Sequence, residues 1–375
     1  MTNPKRKVFI LLDSLRFGGA EKQIISLVNN INSEIYDVSL GYLKKKEALL
    51  SQINKNKLRK LICFNRSRRF DLSVFRKFRK LCVGEKYDVV LCVGLYPMFY
   101  VYLSKLFWKI EYKLITAIHF TIQNPGIWIM VKNIFFRKIL NRCDVILFVC
   151  RNQMDYWIQN YGINETKSKY IYNGIDLEYF TDTFSLKEKE EKRSVLNIDN
   201  GDILIGNVAA LRPEKKQEDI ITAAKIIRSD GYPVKVLIVG DGPRMKNILE
   251  YARSIAMDEH VQITGFQEDI RPYLSIIDCK ILSSDAVETF SIAALEAMAM
   301  SKPVIMTDIG GASEMVCDWE NGFLFRPRNI DDLVSKIRII IQKDLFEEMG
   351  KRSRKIVEEK YTLKKMVNEY EICFY

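Results

Sequence analysis

Ser283-Ser284-Asp285-Ala286-Val287-Glu288-Thr289-Phe290-Ser291-Ile292-Ala293-Ala294-Leu295-Glu296-Ala297-Met298-Ala299-Met300 joins two short strand-like runs, Lys280–Leu282 and Val304–Met306. Its opening is polar, as in a loop leaving a strand. Its second half is nearly all Ala, Leu and Met, a helix with no polar face and therefore a buried one. Strand, loop, buried helix, strand is the crossover unit of a parallel sheet. Glu296 lies inside that apolar helix. A buried carboxylate is costly without partners, so ligand hydroxyls are candidates for it; a structural Arg or backbone amides would serve as well. Thr289, Phe290 and Ser291 place the N–H groups of the helix start beside Glu288, a candidate anion site.

The same alternation runs outward along the whole chain. Strands are expected at Val8–Leu12, Val38–Tyr42, Val89–Val93, Lys113–Ile118 and Val145–Val149, with a helix over 20–31 and a long basic helical stretch reaching Lys86. The pattern restarts at Ile203–Val208 and continues through Val234–Val239 and Val261–Thr264. Two doubly wound α/β domains in tandem follow, which suits 375 residues at about 100–200 per domain. The boundaries expected are 1–180, a polar linker over 181–202 carrying Lys187-Glu188-Lys189-Glu190-Glu191-Lys192-Arg193, a second domain over 203–355 and a C-terminal helix over 356–375, placed to pack back on the first domain.

Charge is uneven: residues 1–180 hold 30 basic and 14 acidic side chains, net +16, and the remainder 28 and 33, net −5. The first half therefore suits an anionic partner such as a membrane surface or nucleic acid, although a solvated basic face would look the same. Eight cysteines with no C-x-x-C pair and two histidines argue against structural zinc and a disulfide framework, leaving small core hydrophobes of a reduced compartment. Lys5-Arg6-Lys7 precedes only five apolar residues, short of the roughly 7–15 of a secretory signal. The uncharged stretch Val89 to Ser104 contains Gly94 and Pro97 and is too short to span a bilayer. A cytoplasmic protein is expected.

In doubly wound domains chemistry gathers at the carboxyl ends of the strands. Three further segments fall there. Gly18-Gly19, between the first strand and the first helix, lets backbone N–H groups approach an anion, and an ordinary tight turn would use the same glycines. Arg212 and Lys215 follow the Ile203–Val208 strand and can neutralise phosphate; exposed loop cations would look the same. His119 closes the Lys113–Ile118 strand and is a candidate polar group, against the alternative of a satisfied structural histidine. No D-x-D occurs, which counts against metal-holding transferases, and no G-x-G-x-x-G or G-x-x-x-x-G-K-[ST], which counts against dinucleotide oxidoreductases and P-loop NTPases.

Glu288-Thr289-Phe290-Ser291 with Leu295-Glu296-Ala297-Met298-Ala299 resembles the E-x7-E signature of retaining glycosyltransferases of the family 4 type. Gly18-Gly19-Ala20-Glu21, Asn173-Gly174, Arg212-Pro213-Glu214-Lys215, Gly240-Asp241-Gly242-Pro243, Thr264-Gly265-Phe266, Asp308-Ile309-Gly310-Gly311 and Asn321-Gly322 occur in the matching order. The resemblance implies the GT-B architecture, two Rossmann-like doubly wound domains facing across a cleft, and a nucleotide-sugar donor. It further implies that Glu296 holds the ribose hydroxyls, that Thr289, Phe290, Ser291, Gly18 and Gly19 contact the diphosphate, that Glu288 contacts the transferred sugar, and that Phe266 borders the base. Lys215 matches the family's phosphate-binding lysine. The paired arginine is usually found where this chain has Ala210, and Arg212 is its candidate substitute. His119 matches a histidine near donor sugar and acceptor. No metal and no cofactor are implied.

The basic half then acquires a role. Residues 44–80 carry 14 Lys and Arg with Phe64, Phe70, Phe75 and Phe78 interleaved, and Tyr96 to Tyr102 with Phe107-Trp108 add aromatics. Such a surface suits an anionic leaflet. The expectation is a UDP-sugar hexosyltransferase, peripheral at the inner face of the plasma membrane, acting on a lipid-linked or glycan acceptor in capsule, lipopolysaccharide or related synthesis. A nucleotide-sugar 2-epimerase on a similar fold is the alternative. A basic nucleic-acid binder is another, but the strand-end motifs would have no use there, so no nucleic-acid partner is expected.

Overall fold

The apolar run too short for a secretory signal is the centre of a sheet: β1 (Arg6–Leu12) lies between β2 (Tyr36–Tyr42) and β4 (Val89–Val93), parallel to both. The structure is a computed structural model describing residues 4–68, 70–120, 135–285 and 288–375. The chain forms two units, one of residues 1–174 with 363–375 and the other of residues 175–362.

In the first unit β3 (Leu58–Cys63), β5 (Lys113–Ile118), β6 (Val145–Phe148) and β7 (Ser168–Tyr170) complete a parallel sheet in the order β3-β2-β1-β4-β5-β6-β7. Side chains alternate between two cores. Val8, Ile10 and Leu12 pack with Ile24, Leu27 and Val28 of the Gly19–Asn30 helix, while Phe9 and Leu11 pack with Phe64, Phe78 and Met98. A strand buried on both faces has no polar side, which is why β1 and β4 are continuous apolar runs.

In the second unit β8 (Ile203–Val208), β9 (Val234–Val239), β10 (Val261–Ile263), β11 (Cys279–Leu282), β12 (Val304–Thr307) and β13 (Gly322–Phe325) form a parallel sheet in the order β10-β9-β8-β11-β12-β13. Both sheets thus reverse direction beside their first strand, the topological switch point where α/β proteins bind ligands.

Several sequence expectations need correction. The stretch read as one basic helix up to Lys86 contains β3 and the Leu72–Glu85 helix. β3 is an edge strand whose charged Arg59 and Lys60 ion-pair with Glu85, so its composition hides its pairing. β7 and β13 lie where no strand was expected. The 181–202 linker holds the Leu186–Val195 helix, opened by a Ser185–Glu188 capping box and packed on the Arg271–Ile276 helix of the same unit. The boundaries expected at 180 and 355 lie at Gly174 and Thr362. The tail is two helices, Phe346–Lys360 in the second unit and Leu363–Phe374 in the first, where Met366, Val367, Tyr370 and Phe374 join the core. Six cysteines are buried, but Cys63 is half-buried and Cys317 exposed. Among the described residues no helix is long and apolar enough to cross a membrane.

Candidate active site

At the carboxyl end of β8 the chain passes through Leu211 and Arg212 into a short turn of helix, Pro213–Lys215. Lys215 turns back over the end of β11, where its Nζ lies 2.6 Å from Glu288 Oε2 and 3.4 Å from Ser284 Oγ. Ser284 Oγ also donates to the same Glu288 oxygen at 3.1 Å. The Lys215 backbone is held in turn, since Ser283 Oγ reaches the carbonyls of Lys215 and Lys216 at 2.9 and 2.8 Å and the Asp285 N–H reaches the Glu214 carbonyl at 3.1 Å. Five bonds between two loops fix one ammonium against one carboxylate.

The loop after β12 supports Glu288 from its other side. Gly311 N–H donates to the Thr289 carbonyl at 2.7 Å, and Gly310 sits at φ +58° with the Glu288 carbonyl where a Cβ would be. Only glycine satisfies both the left-handed backbone and that close approach. Thr289, Phe290 and Ser291 are buried, and Phe290 packs edge-on to Tyr361 at 5.3 Å. Ser291 caps the Ile292–Ala299 helix, its Oγ accepting from the Ala294 N–H at 3.3 Å. That satisfies one of the N-terminal donors of the helix.

Glu296 lies in the middle of this helix at 6% exposure. Lys280 and Tyr179 are within its electrostatic reach. Phe266 stands exposed after Gly265, just beyond the end of β10. Arg212 is the outlier. Its guanidinium is largely exposed, and its one charged contact among the described residues is Glu214 at 4.0 Å, so it does not join Lys215 and Glu288.

In the first unit Gly18 precedes the Gly19–Asn30 helix, and an added Cβ there would overlap the Glu21 carboxylate. Glu21 is buried and paired to Arg16 at 3.2 Å, so this helix start already carries a negative group. His119 follows β5 with Nε2 buried and without a hydrogen-bond partner among the described residues. Burial lowers its pKa to about 4, making it neutral at physiological pH. Sequence reasoning missed Gln153, which is fully buried, accepts from the Val149 N–H and donates to the carbonyls of Ile118 and Phe120, clamping the backbone on both sides of His119. A polar residue in the first turn of the Arg151–Tyr161 helix gives no signal of such a role. Ser284 and Lys280 were missed as well, although Ser284 lies within the stretch that decides the fold and Lys280 in the strand leading into it.

The basic, aromatic surface is smaller than its sequence implies. Phe64 and Phe78 are core, Phe75 is partly buried, and Pro97 to Val101 are buried. What stays exposed is Phe70, a stripe of Leu72, Arg76, Arg79, Lys80 and Val83 along one face of the Leu72–Glu85 helix, and Leu106-Phe107 at the end of the Leu95–Trp108 helix that packs beside it. Arg79 lies over Trp108 at 5.4 Å, and Lys77 is tied to the Phe64 carbonyl at 3.0 Å.

Comparison with known proteins places this arrangement. Residues 188–361 match the family described as Glycosyl transferases group 1, and residues 17–179 match Glycosyltransferase Family 4. The N-acetyl-alpha-D-glucosaminyl L-malate synthase of Bacillus anthracis is 26% identical over 82% of this chain and 79% of its own. The N-acetylgalactosamine-N,N'-diacetylbacillosaminyl-diphospho-undecaprenol 4-alpha-N-acetylgalactosaminyltransferase of Campylobacter jejuni is 23% identical over 93% of this chain and 94% of its own. Among solved structures, HepE of Anabaena in complex with UDP superposes over 98% of this chain and 99% of its own at a TM-score of 0.85 and 19% identity, a likeness of fold. With both units matched, the chain belongs to the GT-B glycosyltransferases of the group 1 and family 4 type.

Proposed function

We propose that this enzyme moves a hexose or N-acetylhexosamine from a UDP-sugar to a lipid-linked glycan acceptor in bacterial surface polysaccharide or glycolipid synthesis, with retention at the anomeric carbon and no divalent metal. The observation that carries the reading is the Lys215–Glu288–Ser284 cluster at the carboxyl ends of β8 and β11, one helix turn and a loop from the buried Glu296. Glu296 accepts the ribose hydroxyls. Lys215 meets the diphosphate charge, as do the amides of Thr289 to Ser291, whereas Arg212 stands apart from them. Phe266 borders the base. Glu288 contacts the transferred sugar, and in the first unit a neutral His119 can accept or donate a hydrogen bond without adding charge.

In the reaction the bond from the anomeric carbon to the diphosphate oxygen breaks and a bond from that carbon to the acceptor oxygen forms on the same face. The acceptor proton passes to the departing phosphate oxygen, so no side chain needs to act as base. Catalysis is then electrostatic: fixed donors and a cation stabilise the negative charge that grows on the leaving diphosphate. The lipid-linked acceptor is supported by the name of the Campylobacter relative and by the stripe of exposed cations and apolar side chains on the Leu72–Glu85 helix, which fits a cytoplasmic enzyme peripheral to an anionic leaflet.

The test is turnover of UDP-glucose, UDP-galactose and their N-acetyl forms with undecaprenyl-diphosphate-linked sugars in EDTA, followed by NMR of the product. An α product from an α donor without metal supports the reading. An inverted product, or turnover that disappears on chelation and returns with Mg²⁺ or Mn²⁺, overturns it.

A further inference from the structure

Lys280 is fully buried in the middle of β11, a position where a parallel strand ordinarily carries an apolar residue. Its neighbours Cys279 and Ile281 point into the core formed with Ile220, Ile305 and Ile337, so Lys280 points to the opposite face. The Ile292–Ala299 helix, which adds no residue to that core, packs against β11 and β12. The Lys280 Nζ reaches the Val208 carbonyl, the last residue of β8, at 3.4 Å, its one hydrogen-bond acceptor among the described residues. It therefore ends at the carboxyl edge of the sheet, below the residues assigned to the donor. Of the charged groups facing it, Glu296 acts on it most strongly, followed by Lys215 and Glu288.

A buried cation with one long hydrogen bond is costly unless it answers a charge. Glu296 is that charge. It too is buried, on a helix otherwise made of Ala, Leu, Ile and Met. Two negative groups, Glu288 and Glu296, stand in this site, and Lys215 is committed to Glu288 at 2.6 Å. A diphosphate bound at Lys215 adds more negative charge beside them, which disfavours an ionised Glu296 at the moment it must accept hydroxyls.

We propose that Lys280 is a positioning residue that holds Glu296 ionised and oriented from beneath, so that the strength of nucleotide binding depends on this buried lysine although it touches no part of the donor. The proposal rests on the donor-site reading given above. Burial lowers the lysine to about 7, with Glu296 and Glu288 opposing the shift and Lys215 adding to it. Its charge is accordingly lost as pH rises through the neutral range, and affinity for the nucleotide falls with it.

The experiment is calorimetric titration of UDP into the wild type, Lys280→Met, Glu296→Gln and the double variant, each first checked for a cooperative melt. Lys280→Met is expected to weaken UDP about tenfold or more while leaving kcat within about threefold, and to cost nothing further in the Glu296→Gln background, which is what coupling through that carboxylate requires. The wild type is expected to lose affinity between about pH 7 and pH 9. That profile also serves if Lys280→Met does not fold. Equal losses for Lys280→Met in both backgrounds, or a flat wild-type profile, overturn the role of Lys280 alone. A wild type that binds UDP while Glu296→Gln binds it equally well overturns the donor-site reading, and this proposal with it.

Discussion

In the second unit the strands end in a charged cluster, Lys215 against Glu288 with Ser284 between them and Lys280 beneath. In the first unit, built on the same strand order, they end at Gly18-Gly19, at a half-buried, neutral His119 and at Asp13, which is already paired with Lys44 and Arg66, while further cations line an exposed helical stripe. The contrast separates what topology decides from what residues decide. Strand order places a crevice at the switch point of each sheet, whatever the sequence. The second unit fills that place with groups that can meet a diphosphate, and the first pairs its strand-end cations with Asp13 and carries others on a face that suits an extended anionic surface.

The contrast breaks most readily at Lys215. Lys215→Ala is expected to lower turnover by about 10²–10³, as removal of a preorganised charge does, with the melting temperature nearly unchanged; turnover within twofold of wild type would take the chemistry away from the second unit. Replacing Arg76, Arg79 and Lys80 with Gln is expected to weaken partitioning to anionic vesicles by about 100-fold, at about 1 kcal/mol per cation near the surface, while leaving UDP binding intact. Equal partitioning would reduce the stripe to a solvated face. Lys77 is left out of this variant because its ammonium already serves the Phe64 carbonyl.

His119 sharpens the same comparison through stability. Its folded pKa of about 4 lies below the ordinary 6.5, so between those values the unfolded chain binds more protons than the folded one. The stability this contributes is complete above pH 6.5 and is lost as pH falls towards 4, amounting to about 2 kcal/mol at pH 5. Denaturant titrations of wild type and His119→Gln at pH 7.5 and 5 measure it. The variant is expected to lose less stability on acidification than the wild type, and an identical loss would show that His119 is not desolvated.

How far the sequence discloses all this follows from the range of each interaction. β1, β4 and β9 are legible because strands buried on both faces must be continuous apolar runs. β3 was not, because Arg59 and Lys60 are solved by Glu85, more than twenty residues away, and nothing local announces the pairing. In the site, Glu296 stood out as a carboxylate inside an apolar helix and Glu288 as the acidic residue of the loop that opens it. Lys280 and Gln153 were not. A lysine between Cys279 and Ile281 shows its burial only once the helix covering it is in place, and Gln153 matters through the carbonyls of Ile118 and Phe120, which the sheet brings to it. The aromatic surface was overestimated for the same reason, since Phe64 and Phe78 turn inward through contacts with Phe9.

The central claim is that the second unit binds the donor through Glu296 without a metal. Thermal shift of the wild type and Glu296→Ala against UDP, GDP, ADP and CMP in EDTA tests it most directly. UDP at about 100 times its Kd should stabilise the wild type by about 2.7 kcal/mol, the other nucleotides less, and Glu296→Ala should show little of that gain. Equal stabilisation of both proteins by UDP, or a wild type that none of the four nucleotides stabilises, would contradict it.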